Sequence, residues 1–179
     1  TPRLWSVSGI ARDQAHLVSR DQEDRPIYGG TPADFAVVQA IREMKARGLR
    51  VTFYPFILMD VAPGNTLPDP YSDHAAGPGQ LAFPWRGRIT CSPAAGQAGS
   101  VDKTGSAGDQ VAAFFGNASV GDFTVTGDEV RWTGDPGDHG LRRMVLHYAH
   151  LCAAAGGVGS VLSGAEMRGL TTIRAGAST

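Results

Sequence analysis

Val51-Thr52-Phe53-Tyr54-Pro55-Phe56-Ile57-Leu58-Met59-Asp60 decides the fold class of this chain. The run is too continuously apolar for a strand with one wet face. It predicts a strand over residues 51–59, buried on both faces as in a parallel sheet. Pro55 has no N–H to donate to a ladder, so a bulge or a bend at a barrel lip is expected there. A helix precedes the run. Thr31 can cap it, Pro32 suits its first position, and Asp34 falls in its first turn, where the helix dipole favours a negative charge. Val37, Ile41 and Met44 recur at helical spacing, and Phe35 and Val38 widen the apolar stripe. Gly48 supplies the C-terminal stop. Helix, glycine turn and buried strand in succession are the mark of an α/β fold.

The same succession returns near the C-terminus. A helix is expected over residues 138–155, capped by Asp135 or Asp138. Leu141, Val145, Tyr148 and Cys152 lie on one of its faces. His147 and His150 fall off that stripe and read as part of a solvated face. Gly156-Gly157 stops the helix, residues 158–163 form the next buried strand, and Gly164-Ala165-Glu166 stands at its C-terminal end. Between the two units runs a long strand-to-helix connection, residues 61–105. A connection of this length inside a compact domain is usually functional or mobile. It leaves the strand end where barrels and open parallel sheets place their active sites.

Residues 107–115 read as a short helix carrying Val111, Phe114 and Phe115. Residues 123–132 alternate around Gly127-Asp128 and read as a small hairpin insertion. Residues 4–10 and 15–19 are short extended candidates, and residues 21–25 a charged turn. A closed barrel needs eight strands in about 250 residues. The α/β chain over residues 1–179 is therefore expected either to form a smaller fold or to be a partial (β/α)8, TIM-barrel-like fold, a fragment of a larger barrel; its abrupt beginning and its end just after Glu166 favour the fragment.

The bulk composition narrows the function. Sixteen Lys and Arg against seventeen Asp and Glu leave a net charge of -1. No basic stripe recommends a nucleic-acid partner. No apolar run approaches the roughly 20 residues of a membrane span. Thr1-Pro2-Arg3-Leu4-Trp5 lacks the layout of a signal peptide. Cys91, in a predicted loop, and Cys152, in a predicted helix, make neither a disulfide framework nor a zinc site. No phosphate loop, nucleophile elbow or dense ligand spacing calls for a cofactor or a metal.

Several longer stretches resemble one family. They are Tyr28-Gly29-Gly30-Thr31-Pro32, the run at 51–60, Phe83-Pro84-Trp85-Arg86-Gly87-Arg88-Ile89, His147-Tyr148-Ala149 and Gly164-Ala165-Glu166-Met167-Arg168-Gly169-Leu170-Thr171. The chain resembles the glycoside-hydrolase TIM-barrel-like domain of the tail-tip (baseplate hub) protein of gene transfer agents and related phages. The resemblance implies a domain of a longer polypeptide, with barrel strands missing on both sides. It implies other tail and baseplate proteins as partners, and a place in the tail tip of a virion-like particle facing a bacterial surface glycan. It also implies a retaining-glycosidase barrel with one glutamate after the fourth strand, matched by Glu166, and a second beyond Thr179. Those glycosidases usually carry Asn immediately before the acid/base Glu. Ala165 stands there here.

Retaining hydrolysis needs two carboxyl groups about 5 Å apart, one as acid/base and one as nucleophile. Glu166 is the candidate acid/base; its alternative is a strand-end ion pair with Arg168 or Arg142. Asp60 ends the other buried run and is a candidate rim carboxylate, or else opens the long loop as an Asx turn. Trp85 can stack on a sugar face and Arg86 can donate to its hydroxyls; Trp85 can equally pin the loop. Tyr71 and Arg168 complete the candidate substrate contacts, with Asp73 and His74 as further polar loop residues. Tyr54 and Phe56 are expected in the core. The Ala165 departure favours a structural or glycan-binding tail-tip module over an active hydrolase.

Overall fold

The structure, a computed structural model, describes residues 19–20, 26–27, 32, 34–57, 59, 61, 63–72 and 79–177. Expectations placed on residues 4–10, 15–18 and 21–25, and on Thr31, Asp60, Asp73 and His74, lie outside them. The chain forms two compact units. Among the described residues, one gathers everything up to Pro55 together with residues 116–163. The other gathers Phe56–Phe115 and residues 164–177.

In the first unit, β1 (Ser19–Arg20) and β2 (Pro26–Ile27) pair antiparallel. Then α1 (Asp34–Ala46) leads to β3 (Thr52–Phe53), and α3 (Leu141–Ala154) leads to β6 (Ser160–Val161). β3 and β6 are parallel, with Thr52 opposite Ser160 and Phe53 opposite Val161. The two helix–strand segments are local copies of one another. In each, the helix ends on a glycine with positive φ, Gly48 at 76° and Gly156 at 84°. In each, two backbone bonds close the end: Gly48 N–H to Lys45 O and Leu49 N–H to Met44 O, and likewise Gly156 N–H to Ala153 O and Gly157 N–H to Cys152 O. Only a residue without Cβ takes that conformation at no steric cost, so these glycines set where the strands begin. Arg42 donates to Ala154 O at 2.8 Å, and Lys45 donates to the carbonyls of Gly156 and Gly157. Cations on α1 thereby satisfy carbonyls that the end of α3 leaves open.

The hairpin β4 (Phe123–Thr126) and β5 (Glu129–Trp132) turns at Gly127-Asp128, with Gly127 at φ 58°. That is the position where a two-residue hairpin turn calls for glycine. Asp128 pairs with Arg42 at 2.8 Å and ties the turn to α1. The core of this unit is Val38, Ile41, Val51, Phe123, Val130, Leu151, Cys152 and Ala155. Each large aliphatic buried here contributes roughly 1.5–3 kcal/mol of transfer free energy.

Several expectations need correction. The ladder expected over 51–59 holds only at Thr52–Phe53, and the one over 158–163 only at Ser160–Val161. Pro55 cannot donate, and among the described residues each of these strands has a single neighbour. Tyr54, Val161 and Leu162 are consequently exposed rather than buried on both faces. Three α-helices and three two-stranded sheets are present among the described residues, with no closed barrel. Neither Asp135 nor Asp138 caps α3; Gly140 occupies the cap position without a side-chain bond. The two carboxylates instead accept backbone N–H groups of Gly137 and Gly140, as Asx turns. His147 is not on a solvated face. It is fully buried, with Nε2 3.1 Å from Asp34 Oδ1, while Asp34 Oδ2 accepts from Val130 N–H at 3.3 Å. Arg143, also fully buried, donates to Asp138 O at 2.6 Å and lies over the Trp132 ring at 4.4 Å.

In the second unit the long connection is laced by side chains that replace ladder bonds. Asn65 Oδ1 accepts from Leu67 and Gln80 N–H, and its Nδ2 donates to Gln80 O. Gln110, on α2 (Gly105–Phe115), bonds both backbone groups of Ser92 at 2.8 and 3.0 Å. Asp102 accepts from the backbone and guanidinium of Arg174. Among the described residues, no helix is long and apolar enough to cross a membrane.

Candidate functional site

Glu166 sits in a turn that the chain makes at some steric cost. Gly164 stands at φ 136° and Glu166 at φ 56°. The left-handed region costs a side-chain-bearing residue about 1–2 kcal/mol. Its neighbours fix the turn from below, since Ala165 and Met167 are buried. Gly169 N–H donates to Gly87 O at 2.9 Å, and a Cβ on Gly169 would come within 2.4 Å of Ile89 O. Glycine is thus required for the turn to lie against the Arg86–Arg88 helical turn.

That contact carries the site. Trp85 Nε1–H donates to Glu166 Oε2 at 2.9 Å, and Arg86 NH2 pairs with the same oxygen at 2.6 Å. Arg86 Nε–H also donates to Ala165 O at 3.1 Å, and its guanidinium lies 4.4 Å from the centre of the Phe56 ring. Both protein donors converge on Oε2, and among the described residues none reaches Oε1. The Glu166 side chain is 54% exposed and that of Arg86 only 16%. An ion pair this open is worth about 0–1 kcal/mol. Its return does not exceed the cost of the backbone conformation. A strained residue that stability does not explain is a candidate for function.

Glu166, Trp85 and Arg86 were each nominated from sequence, and the structure brings these three together. Arg86, rather than Arg168 or Arg142, is the partner of Glu166. Arg168 is exposed, and its side chain makes no hydrogen bond or ion pair among the described residues. Tyr71 makes no bond to Glu166 among the described residues, although its hydroxyl lies against Gly169 of the same turn, 2.9 Å from where a Cβ there would stand. It lies under Arg88, whose guanidinium is 4.4 Å from the ring and pairs with Asp69 at 2.9 Å. Tyr71 therefore buttresses the turn that carries Trp85 and Arg86. Among the described residues no three His, Cys, Asp or Glu side chains gather as ligands for a metal ion.

Residues 139–179 match the model of the GTA TIM-barrel-like domain. The matched segment includes α3, β6 and the Glu166 turn, and it associates this end of the chain with gene transfer agents. Trp85, Arg86 and Phe56 lie outside it. No curated protein matches the chain.

Two parts of this cluster are not found by reading the sequence. Phe56 was expected in the core, yet it is exposed and carries the Arg86 guanidinium. Its side of the run could not be assigned while residues 51–59 were read as one continuous strand. Gly87 was also missed. A Cβ placed on it would lie 2.4–2.5 Å from three successive atoms of the Trp85 six-membered ring. Glycine between two arginines in a loop was the available signal.

Proposed function

We propose that this domain is a glycan-contacting module in the tail tip of a gene transfer agent particle, where it works with other tail and baseplate proteins against a bacterial surface. The observation that carries this reading is the Trp85–Glu166–Arg86 cluster. An exposed indole and an exposed carboxylate stand side by side, and one carboxylate oxygen is anchored by two donors. Indole faces stack on the apolar face of a pyranose, and a carboxylate accepts from its hydroxyls. The GTA match supports the particle context.

A retaining glycoside hydrolase with Glu166 as acid/base is the second reading. One observation favours it: Oε2 already accepts twice, while Oε1 has no donor among the described residues and is the oxygen left to face a glycosidic bond. Against it, the Ala165 side chain offers no donor for a sugar hydroxyl, and among the described residues no second carboxylate bonds to Trp85, Arg86 or Glu166.

Glu166→Gln separates the two. With the module, the variant binds cell-surface glycan about tenfold more weakly, and neither protein releases reducing sugar. A wild-type protein that turns over glycan while the variant does not establishes the hydrolase. Equal binding by both removes Glu166 from the site.

A further inference from the structure

The cluster is lopsided in a way that selects among saccharides. Three features fix what it shows to a ligand. First, Trp85 has one covered face. The position of a Gly87 Cβ is 2.4, 2.4 and 2.5 Å from three successive ring atoms. Near-equal distances place Gly87 over the plane of the ring, because a point beyond its edge would be much closer to one atom. The N–H edge is used by Glu166. The exposed half of Trp85 is therefore its opposite face.

Second, the ion pair turns its negative member outward. The carboxylate side chain is 54% exposed, whereas the guanidinium is 16% exposed and is enclosed by Glu166, the Ala165 carbonyl and the Phe56 ring. Third, the guanidinium has spent two directions, Nε–H on Ala165 O and NH2 on Oε2. That uses its side-on fork, and the rest of the group is only 16% exposed, so it offers an incoming carboxylate less than the outward-facing Glu166 repels.

We infer that this site takes a saccharide presenting hydrogen-bond donors, hydroxyl or ammonium, and discriminates against uronates and other acidic sugars. The inference rests on the glycan-contacting reading above and adds the charge class of the glycan. A pyranose on the open indole face sets its edge hydroxyls or an amino group beside Glu166 Oε1. An acidic sugar sets a carboxylate there, where like charges repel. Arg168, two residues along and exposed, has no side-chain partner among the described residues. It is not anchored to the cluster, so it should not govern the choice.

The test is titration of the 179-residue chain with three hexamers of equal length: N-acetylglucosamine, glucosamine and galacturonate. The expected result is binding of the first two, and of galacturonate at least about tenfold more weakly. Glu166→Gln should narrow that gap, Trp85→Ala should abolish all binding, and Arg168→Gln should leave the ranking in place. Galacturonate binding as tightly as the neutral hexamer overturns the inference and leaves the glycan reading standing. A ranking unchanged in Glu166→Gln, or lost in Arg168→Gln, overturns it as well. Absence of binding by all three hexamers overturns the glycan reading itself.

Discussion

Gly87 and Glu166 show how single residues hold the site. A side chain at 87 would collide with the Trp85 ring, and a six-membered ring cannot bend away from it. Gly87→Ala should swing the indole off its bond to Glu166 without touching any ligand. The expected outcome is a change in Trp85 emission, separable from Trp5 and Trp132 with a Trp85→Phe control, and loss of glycan binding to the level of Trp85→Ala. Unchanged emission and binding would show that the ring is not seated on Gly87. Trp85, Arg86 and Glu166 can be nominated from the sequence because Trp, Arg and Glu in loops are residue types suited to sugar contact. Their arrangement cannot. Trp85 and Glu166 are 81 residues apart, and nothing local announces that one oxygen will accept from both Trp85 and Arg86. Phe56 was lost for a related reason: an aromatic in an apolar run looks the same whether it faces a core or a guanidinium.

Among the elements, helices were legible and ladders were not. α1, α3 and the hairpin follow from spacing of apolar residues and from glycines at Gly48, Gly127 and Gly156, all of which are local signals. A ladder depends on a neighbour, and a sequence names no neighbour, so residues 51–59 and 158–163 were read as longer strands than form. The burial of His147 was also illegible, because imidazole counts as polar and its partner Asp34 is 113 residues away. That pair is the polar fastening between the start of α1, the hairpin and α3. Asp34→Ala removes the acceptor shared by His147 Nε2 and Val130 N–H inside a closed core. The expected loss is about 3 kcal/mol in denaturant unfolding. A loss under about 1 kcal/mol would mean that water replaces the carboxylate.

At the level of the whole molecule, acid should act through a clamp in the second unit. The Arg174 guanidinium hydrogen-bonded to Asp102 holds that carboxyl below its ordinary value of 3.8. A carboxyl lowered by folding stabilises the fold above its unfolded value and loses that contribution as pH falls through the folded one. Wild type should therefore exceed Asp102→Asn in stability at neutral pH, and the gap should close as pH drops below 3.8 in parallel urea titrations. A gap that persists at lower pH would place the difference elsewhere. One more feature bears on the molecule as a whole. The chain has two cysteines, both buried and unpaired, and each compact unit holds one, Cys152 in the first and Cys91 in the second. Burial also pushes the Cys152 thiol up, which keeps it protonated and inert. The natural sequence thus carries a separate reporter of opening for each unit. In native buffer both should react with iodoacetamide at least about a thousandfold more slowly than in denaturant. Peptide-resolved mass spectrometry would then time the two events independently, and a cysteine that reacts at its unfolded rate would identify the unit that does not stay closed.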